Sequence, residues 1–123
     1  MSGDLTMQPE TRRLIVLGST GSIGVNTLNV VEHLNLNGLA SFDVVGLAAG
    51  ANVELLAEQA ARFEASHVAL ADGEAANGAS WGDRTVFRGS DAAIELVEAV
   101  AQPGDLVMAA MVGSAGLPAT IAA

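Results

Sequence analysis

The chain has 123 residues, half of them apolar, which is enough for one domain with one hydrophobic core. It contains no cysteine, lysine or tyrosine, so these residues supply no disulfide, thiolate metal site, lysine Schiff base or tyrosine–lysine proton-transfer pair. Fourteen acidic residues against five basic ones give a net charge of −9, which argues against nucleic acid or an anionic membrane as a partner.

Residues 1–11 are polar and lack the apolar run of a signal peptide, so we interpret them as a flexible leader. Residues 13–17 contain a short apolar run that is typical of a parallel strand buried on both faces. A helix is predicted after Gly24, and residues 35–38 end it with a cluster that tolerates a left-handed backbone. The side chains expected on one side of this helix are Ile23, Thr27, Val30, Val31 and Leu34.

Residues 42–48 are predicted to form the second strand, and Asn52 is placed to cap the helix that follows. The apolar stripe of that helix consists of Val53, Leu56, Ala57 and Ala60. Residues 67–71 predict a third strand and residues 84–88 a fourth. The polar loop between these strands contains Trp81, which we interpret as a packing anchor.

Ser90 is predicted to cap the next helix, and Pro103 with Gly104 to end it. The apolar stripe of this helix consists of Ala93, Leu96, Val97 and Val100. Residues 105–112 predict the last strand. Strands alternating with crossover connections indicate an α/β fold with a Rossmann-like, doubly wound parallel sheet over residues 12–123. Because the sequence ends within a further predicted helix, we expect this domain to be incomplete at its C-terminus.

The strongest functional signal is the loop between the first predicted strand and helix, with glycines at Gly18, Gly21 and Gly24. We call it the phosphate loop. Gly18 is expected to make a tight turn, Gly21 to leave room for a diphosphate, and Gly24 to let the helix pack closely. Thr20 and Ser22 add hydroxyl donors, and the helix N-terminus adds positive potential. The loop therefore predicts nucleotide binding; the alternative is a tight turn without a ligand.

A second signal follows the second predicted strand, at Gly50, Ala51 and Asn52. Many NAD-binding folds place an acidic residue there that holds the ribose hydroxyls, whereas the nearest acid here is Glu54. Since a carboxylate would repel the 2′-phosphate of NADP, this sequence favours NADP over NAD. The alternative is that Gly50 only makes a turn and Asn52 only caps a helix.

Small residues end the last predicted strand, where ligands of such sheets bind. These residues are Ala109, Ala110, Met111, Val112 and Gly113. They would let a nicotinamide ring approach, although an ordinary hydrophobic core is the favoured explanation. We find no catalytic constellation and no acidic metal cluster in the sequence.

Four stretches, in order, resemble the N-terminal NADPH-binding domain of 1-deoxy-D-xylulose 5-phosphate reductoisomerases. They lie at residues 14–31, 45–53, 56–59 and 108–117. The resemblance implies an enzyme of non-mevalonate isoprenoid biosynthesis that isomerises 1-deoxy-D-xylulose 5-phosphate and reduces it with NADPH to 2-C-methyl-D-erythritol 4-phosphate. It also implies a cytoplasmic homodimer that acts on a small-molecule substrate, uses a divalent metal (Mg or Mn), and has no nucleic-acid or membrane partner.

By motif position, the resemblance also implies which residues bind the cofactor. They are Thr20, Gly21, Ser22 and Ile23 at the diphosphate, and Gly50, Ala51 and Asn52 around the 2′-phosphate. Ala51 stands where many members have a basic or polar residue, so its contact would come from the backbone alone. The family's metal ligands and substrate site lie beyond this segment, so this chain by itself is expected to hold no catalytic residue and no metal and to be inactive.

Two alternatives remain open from the sequence. The spacing of the phosphate loop is similar to that of NADP-dependent reductases of the semialdehyde and acyl-phosphate type. A non-catalytic module that senses a nucleotide and regulates a partner would need the same loop. A short-chain dehydrogenase is disfavoured because its tyrosine–lysine pair is missing.

Overall fold

A sheet of five parallel strands forms the centre of the computed structural model, which describes residues 11–110. The strands are β1 (Thr11–Leu17), β2 (Ser41–Ala49), β3 (His67–Leu70), β4 (Thr85–Arg88) and β5 (Leu106–Ala109). The helices are α1 (Ser22–Leu36), α2 (Val53–Phe63) and α3 (Ala92–Val100), with a short 3-10 helix at Ala75–Gly78. The strand order is β4-β3-β2-β1-β5, which confirms the predicted doubly wound sheet.

The central strand β1 supplies both faces of the hydrophobic core. Successive side chains of a strand point to opposite faces of the sheet. Leu14 and Val16 therefore pack in the core that α1 and α2 cover, while Ile15 and Leu17 pack under α3. All four are buried, because helices cover the sheet on both sides.

Two boundaries differ from the sequence prediction. Strand β1 already begins at Thr11, which pairs with Ser41 on β2 and had been assigned to the leader. Asp91, not Ser90, precedes α3, and no side chain caps this helix. The prediction for Ser90 was wrong because the chain turns at Gly89, whose φ is 110°, and the Gly89 carbonyl already accepts the amide of Ala92.

The loop between β3 and β4 is anchored by Trp81, as predicted. Its indole ring is buried, and its Nε1 donates to the carbonyl oxygen of Ala76 at 2.8 Å. Residues 1–10, most of the leader, lie outside the described residues, as does the helix predicted at the end of the sequence. None of the described helices is long and apolar enough to cross a membrane.

The residues predicted on one side of α1 do share one side, but of them only Val31 is among the buried residues of the helix. Gly24, Leu28 and Val31 face the sheet, whereas 49% of Ile23 and 56% of Val30 are exposed. The helix is rotated because its glycine, with no side chain, takes the position closest to the loop backbone. Helical periodicity identified an apolar helix but overestimated the width of its buried face.

Ile23 and Val30 instead line an apolar groove of about 410 Å³ between α1 and β5. Leu106 and Met108 on β5 form its other wall. Strand β5 lies at the edge of the sheet formed by the described residues. Within residues 11–110, no side chain covers the apolar surface of this groove.

A partly buried ion pair joins the first and last described strands at their amino ends. Arg13 donates through Nε to both carboxylate oxygens of Asp105 at 3.1 Å, and through Nη2 to the carbonyl oxygen of Val100 at 2.8 Å. The side chain of Asp105 is 5% exposed and also accepts the amide of Gln102. This cluster fixes the end of α3 against β1 and β5.

We expect Arg13→Met to lower the free energy of unfolding by about 1–3 kcal/mol, because it leaves a buried carboxylate without its guanidinium partner. The measurement is denaturant unfolding followed by circular dichroism. Arg62→Met is the matched control, since the pair of Arg62 with Glu32 is 33% and 43% exposed and should contribute at most about 1 kcal/mol. Equal effects of the two substitutions would contradict this assignment.

Candidate cofactor-binding site

The phosphate loop joins β1 to α1 at the carboxyl end of the parallel strands. The amides of Gly18 and Ser19 donate to the carbonyl oxygen of Ala48 at 2.8 and 2.9 Å, so β2 holds the start of the loop. Residues 50–52 follow β2 directly; we call them the β2–α2 turn. The structure therefore brings the two predicted site segments together at one edge, where parallel sheets bind nucleotides.

The three glycines of the loop are needed for different reasons. Gly18 has a φ of 80°, which side-chain-bearing residues rarely adopt. A Cβ atom on Gly24 would collide with the Gly18 carbonyl oxygen and lie 2.6 Å from the Cα atom of Ser19. Both predicted structural roles are confirmed.

Gly21, by contrast, is not required by the protein's own structure. Its φ of −77° and ψ of 172° suit any residue. A Cβ atom there would lie in ordinary contact, 3.7 Å from the Gly18 carbonyl oxygen. Its missing side chain leaves space on the exposed side of the loop.

The N-terminus of α1 offers hydrogen-bond donors to that space. Gly21 is its N-cap and no side chain caps the helix. The first helical bond runs from the Val25 amide to the Gly21 carbonyl, and the amides of Ser22 and Ile23 find no acceptor within residues 11–110. Exposed amides at the positive end of a 15-residue helix favour an anion.

The β2–α2 turn is exposed and carries no charged side chain. Asn52 accepts the Leu55 amide through Oδ1 at 3.3 Å, so it does cap α2. Its Nδ2 group has no protein partner in the described part of the chain and is available to a ligand. No atom lies within 4 Å of a Cβ atom built on Gly50, and the nearest acid along the chain, Glu54, lies in the first turn of α2.

The predicted nicotinamide position is only partly described. Ala110 is buried, and its amide donates to the Leu17 carbonyl at 2.7 Å, which continues the pairing of β5 with β1. Met111, Val112 and Gly113 lie outside the described residues. Among residues 11–110, no three histidine, aspartate or glutamate side chains lie close enough together to hold a metal ion.

One buried polar residue at the site was missed by the sequence analysis. Gln59 on α2 is 2% exposed, and its Nε2 donates to the carbonyl oxygen of Ser19 at 2.9 Å. It lies on the buried face of α2 between Leu56 and Ala60. The sequence could have indicated this residue, because Gln59 is polar and lies three positions after Leu56, within the apolar stripe of α2.

The comparisons with known proteins agree on one family. The family model of 1-deoxy-D-xylulose 5-phosphate reductoisomerase matches residues 14–123. A protein of that name from Rhizobium meliloti is 43% identical over 116 residues, which cover 91% of this chain and 28% of that protein. One from Rhodococcus jostii is 48% identical over 112 residues, which cover 90% of this chain and 26% of that protein.

Solved structures give the same result. The reductoisomerase of Zymomonas mobilis in complex with NADPH superposes with a TM-score of 0.67 at 38% identity, over 90% of this chain and 29% of that one. A reductoisomerase in complex with NADPH, fosmidomycin and magnesium gives a TM-score of 0.71 at 25% identity, over 89% and 26%. The chain thus spans less than a third of the length of these relatives.

The contact at Gly24 leads to a test of the loop packing. An alanine at an ordinary helix position stabilises relative to glycine. Gly24→Ala should instead destabilise by about 1–3 kcal/mol, because the added methyl group meets backbone atoms that have no room to move. Thermal and denaturant unfolding measure the change.

Gly50→Ala is the matched control, since open space surrounds that position and its stability should change by less than about 0.5 kcal/mol. A Gly24→Ala variant as stable as the unsubstituted chain would show that α1 does not pack on the loop in this way.

Proposed function

Because the chain belongs to the 1-deoxy-D-xylulose 5-phosphate reductoisomerase family, we propose that residues 11–110 form the NADPH-binding part of such an enzyme. The observation that carries the proposal is the juxtaposition of two neutral anion sites. One is the uncapped N-terminus of α1 beside Gly21, and the other is the β2–α2 turn. Both follow neighbouring parallel strands at the carboxyl end of the sheet, where a dinucleotide with a diphosphate and a 2′-phosphate would bind.

In this proposal the phosphate loop holds the diphosphate. The amides of Ser22 and Ile23 donate to its oxygens, and the hydroxyl groups of Thr20 and Ser22 add further donors. Gly21 contributes by having no side chain where the phosphates approach. Support comes from the exposure of Gly21, Ser22 and Ile23 and from the absence of protein acceptors for these amides in residues 11–110.

The β2–α2 turn holds the 2′-phosphate. Asn52 is fixed by its capping bond, which leaves its Nδ2 group as a donor, and the amides of Gly50 and Ala51 are exposed beside it. Ala51 contributes only its backbone, so the preference for NADPH over NADH rests on neutral donors and on the absence of a carboxylate within the turn. Hydrogen bonds to a charged group contribute about 1.5–3 kcal/mol each.

The complete enzyme, we propose, converts 1-deoxy-D-xylulose 5-phosphate to 2-C-methyl-D-erythritol 4-phosphate. When bound, NADPH would supply the hydride, while the family resemblance implies that the ligands of a divalent metal (Mg or Mn) and the catalytic residues would come from the rest of the enzyme, which this chain does not span. The homodimer and the cytoplasmic location implied by the family stay predictions. The family assignment argues against a separate reductase of the semialdehyde or acyl-phosphate type.

Calorimetric titration of the chain with NADPH and NADH tests the proposal. We expect saturation with NADPH and roughly tenfold weaker binding of NADH, because one charged contact is worth about 1.4 kcal/mol or more. Equal affinities for NADPH and NADH would show that the β2–α2 turn does not bind the 2′-phosphate. Binding of neither cofactor would refute this part of the chain as a self-sufficient cofactor domain.

Gly21→Ala tests the space above the phosphate loop. The variant should fold and lose at most about 1.5 kcal/mol of unfolding free energy, since its backbone suits alanine and the added methyl group meets no close atom, although alanine is a poorer N-cap than glycine. Its affinity for NADPH should fall about tenfold or more, because the methyl group occupies the place of a phosphate oxygen. Unchanged affinity would place the diphosphate elsewhere.

A further inference from the structure

The peptide between Ser19 and Thr20 is held from the interior of the protein by one side chain. The Nε2 group of Gln59 donates to the Ser19 carbonyl oxygen at 2.9 Å, across 40 positions of the sequence. Both residues are almost completely buried. Helix α2 therefore holds the phosphate loop directly, in addition to the sheet and α1.

Three elements converge on Ser19. Strand β2 accepts its amide through the Ala48 carbonyl at 2.9 Å, Gln59 donates to its carbonyl, and Gly24 on α1 lies against its backbone. The first residue of the loop after the turn is therefore fixed at both of its backbone polar groups.

The bond from Gln59 sets the direction of the next amide. A trans peptide is planar, so the C=O of one residue and the N–H of the following residue point in opposite directions. With the Ser19 carbonyl drawn inward to Gln59, the Thr20 N–H points away from the core. That amide has no protein acceptor within residues 11–110, and Thr20 is half-exposed at the loop surface.

Packing alone does not account for a glutamine at this position. Gln59 Oε1 is buried without a hydrogen-bond partner among residues 11–110, and so is the Oγ atom of Ser19. A buried polar atom without a partner reduces stability. An apolar side chain of the same length would fill the space without leaving Oε1 unsatisfied, so the benefit of Gln59 lies in its Nε2 group.

We propose that Gln59 is a positioning residue of the cofactor site, which orients the Thr20 amide toward the diphosphate by holding the Ser19 carbonyl. The inference rests on the proposed function of the phosphate loop. It adds a residue of α2 to that site. It also makes α2 the link between the site's two ends, since the same helix begins at the β2–α2 turn that faces the 2′-phosphate.

The test uses Gln59→Met, which keeps the length of the side chain but removes the donor. Affinities for NADPH and for 2′-AMP are measured on the unsubstituted chain and on the variant. NADPH should bind about tenfold more weakly, whereas 2′-AMP, which lacks the diphosphate, should bind equally well. A general loss of structure would weaken both ligands.

Amide hydrogen exchange of the cofactor-free chain gives a second readout. The exchange rate of the Ser19 amide is compared with that of the Leu47 amide in the buried centre of β2. Gln59→Met should raise the ratio of the two rates about tenfold, since only the loop is released. Val31→Ala is the control, because it removes buried apolar volume from the same core without touching the loop, and should leave the ratio and the NADPH affinity unchanged.

The outcomes separate the two proposals. Unchanged NADPH affinity and an unchanged exchange ratio in Gln59→Met would overturn the role of Gln59, as would equal losses for NADPH and 2′-AMP. If the unsubstituted chain bound no NADPH, residues 11–110 would not be a self-sufficient cofactor domain. The exchange ratio would then decide alone whether Gln59 positions the loop.

Discussion

The contact between the first turn of α1 and the backbone of the phosphate loop determines how the helix and the loop are placed at the carboxyl end of the sheet. Gly24 lies so close to Gly18 and Ser19 that a single methyl group has no room. This approach fixes the rotation of α1 and turns Leu28 and Val31 toward the sheet. It also places the amino end of the helix directly above the end of β1, where its free amides meet solvent.

The proposed site would bind an anion within a chain whose net charge repels anions at long range. The chain carries a net charge of −9, and neither the phosphate loop nor the β2–α2 turn contains a basic residue. Attraction for phosphate must therefore come from oriented backbone amides, hydroxyl groups and the helix dipole, which act only at short distance. Such donors work when their directions are fixed in advance, which is why the bonds from Ala48 and Gln59 to the loop matter.

The described residues also carry surface that the cofactor proposal does not use. The groove between α1 and β5 is apolar, and Ile23 belongs both to its wall and to the phosphate loop. Ile23 therefore contacts both the proposed cofactor site and the groove next to β5. The relatives are more than three times as long as the matched segment.

The sequence by itself determined the fold class, the positions of the five strands and the loop with its three glycines, because apolar runs and glycine spacing are local properties. It also indicated Gly50, Ala51 and Asn52 as a neutral turn. Only the tertiary structure decided which face of α1 is buried, that Arg13 pairs with Asp105, and that Gln59 reaches Ser19. The two side-chain contacts join residues 92 and 40 positions apart, so periodicity within one helix or strand carries no information about them.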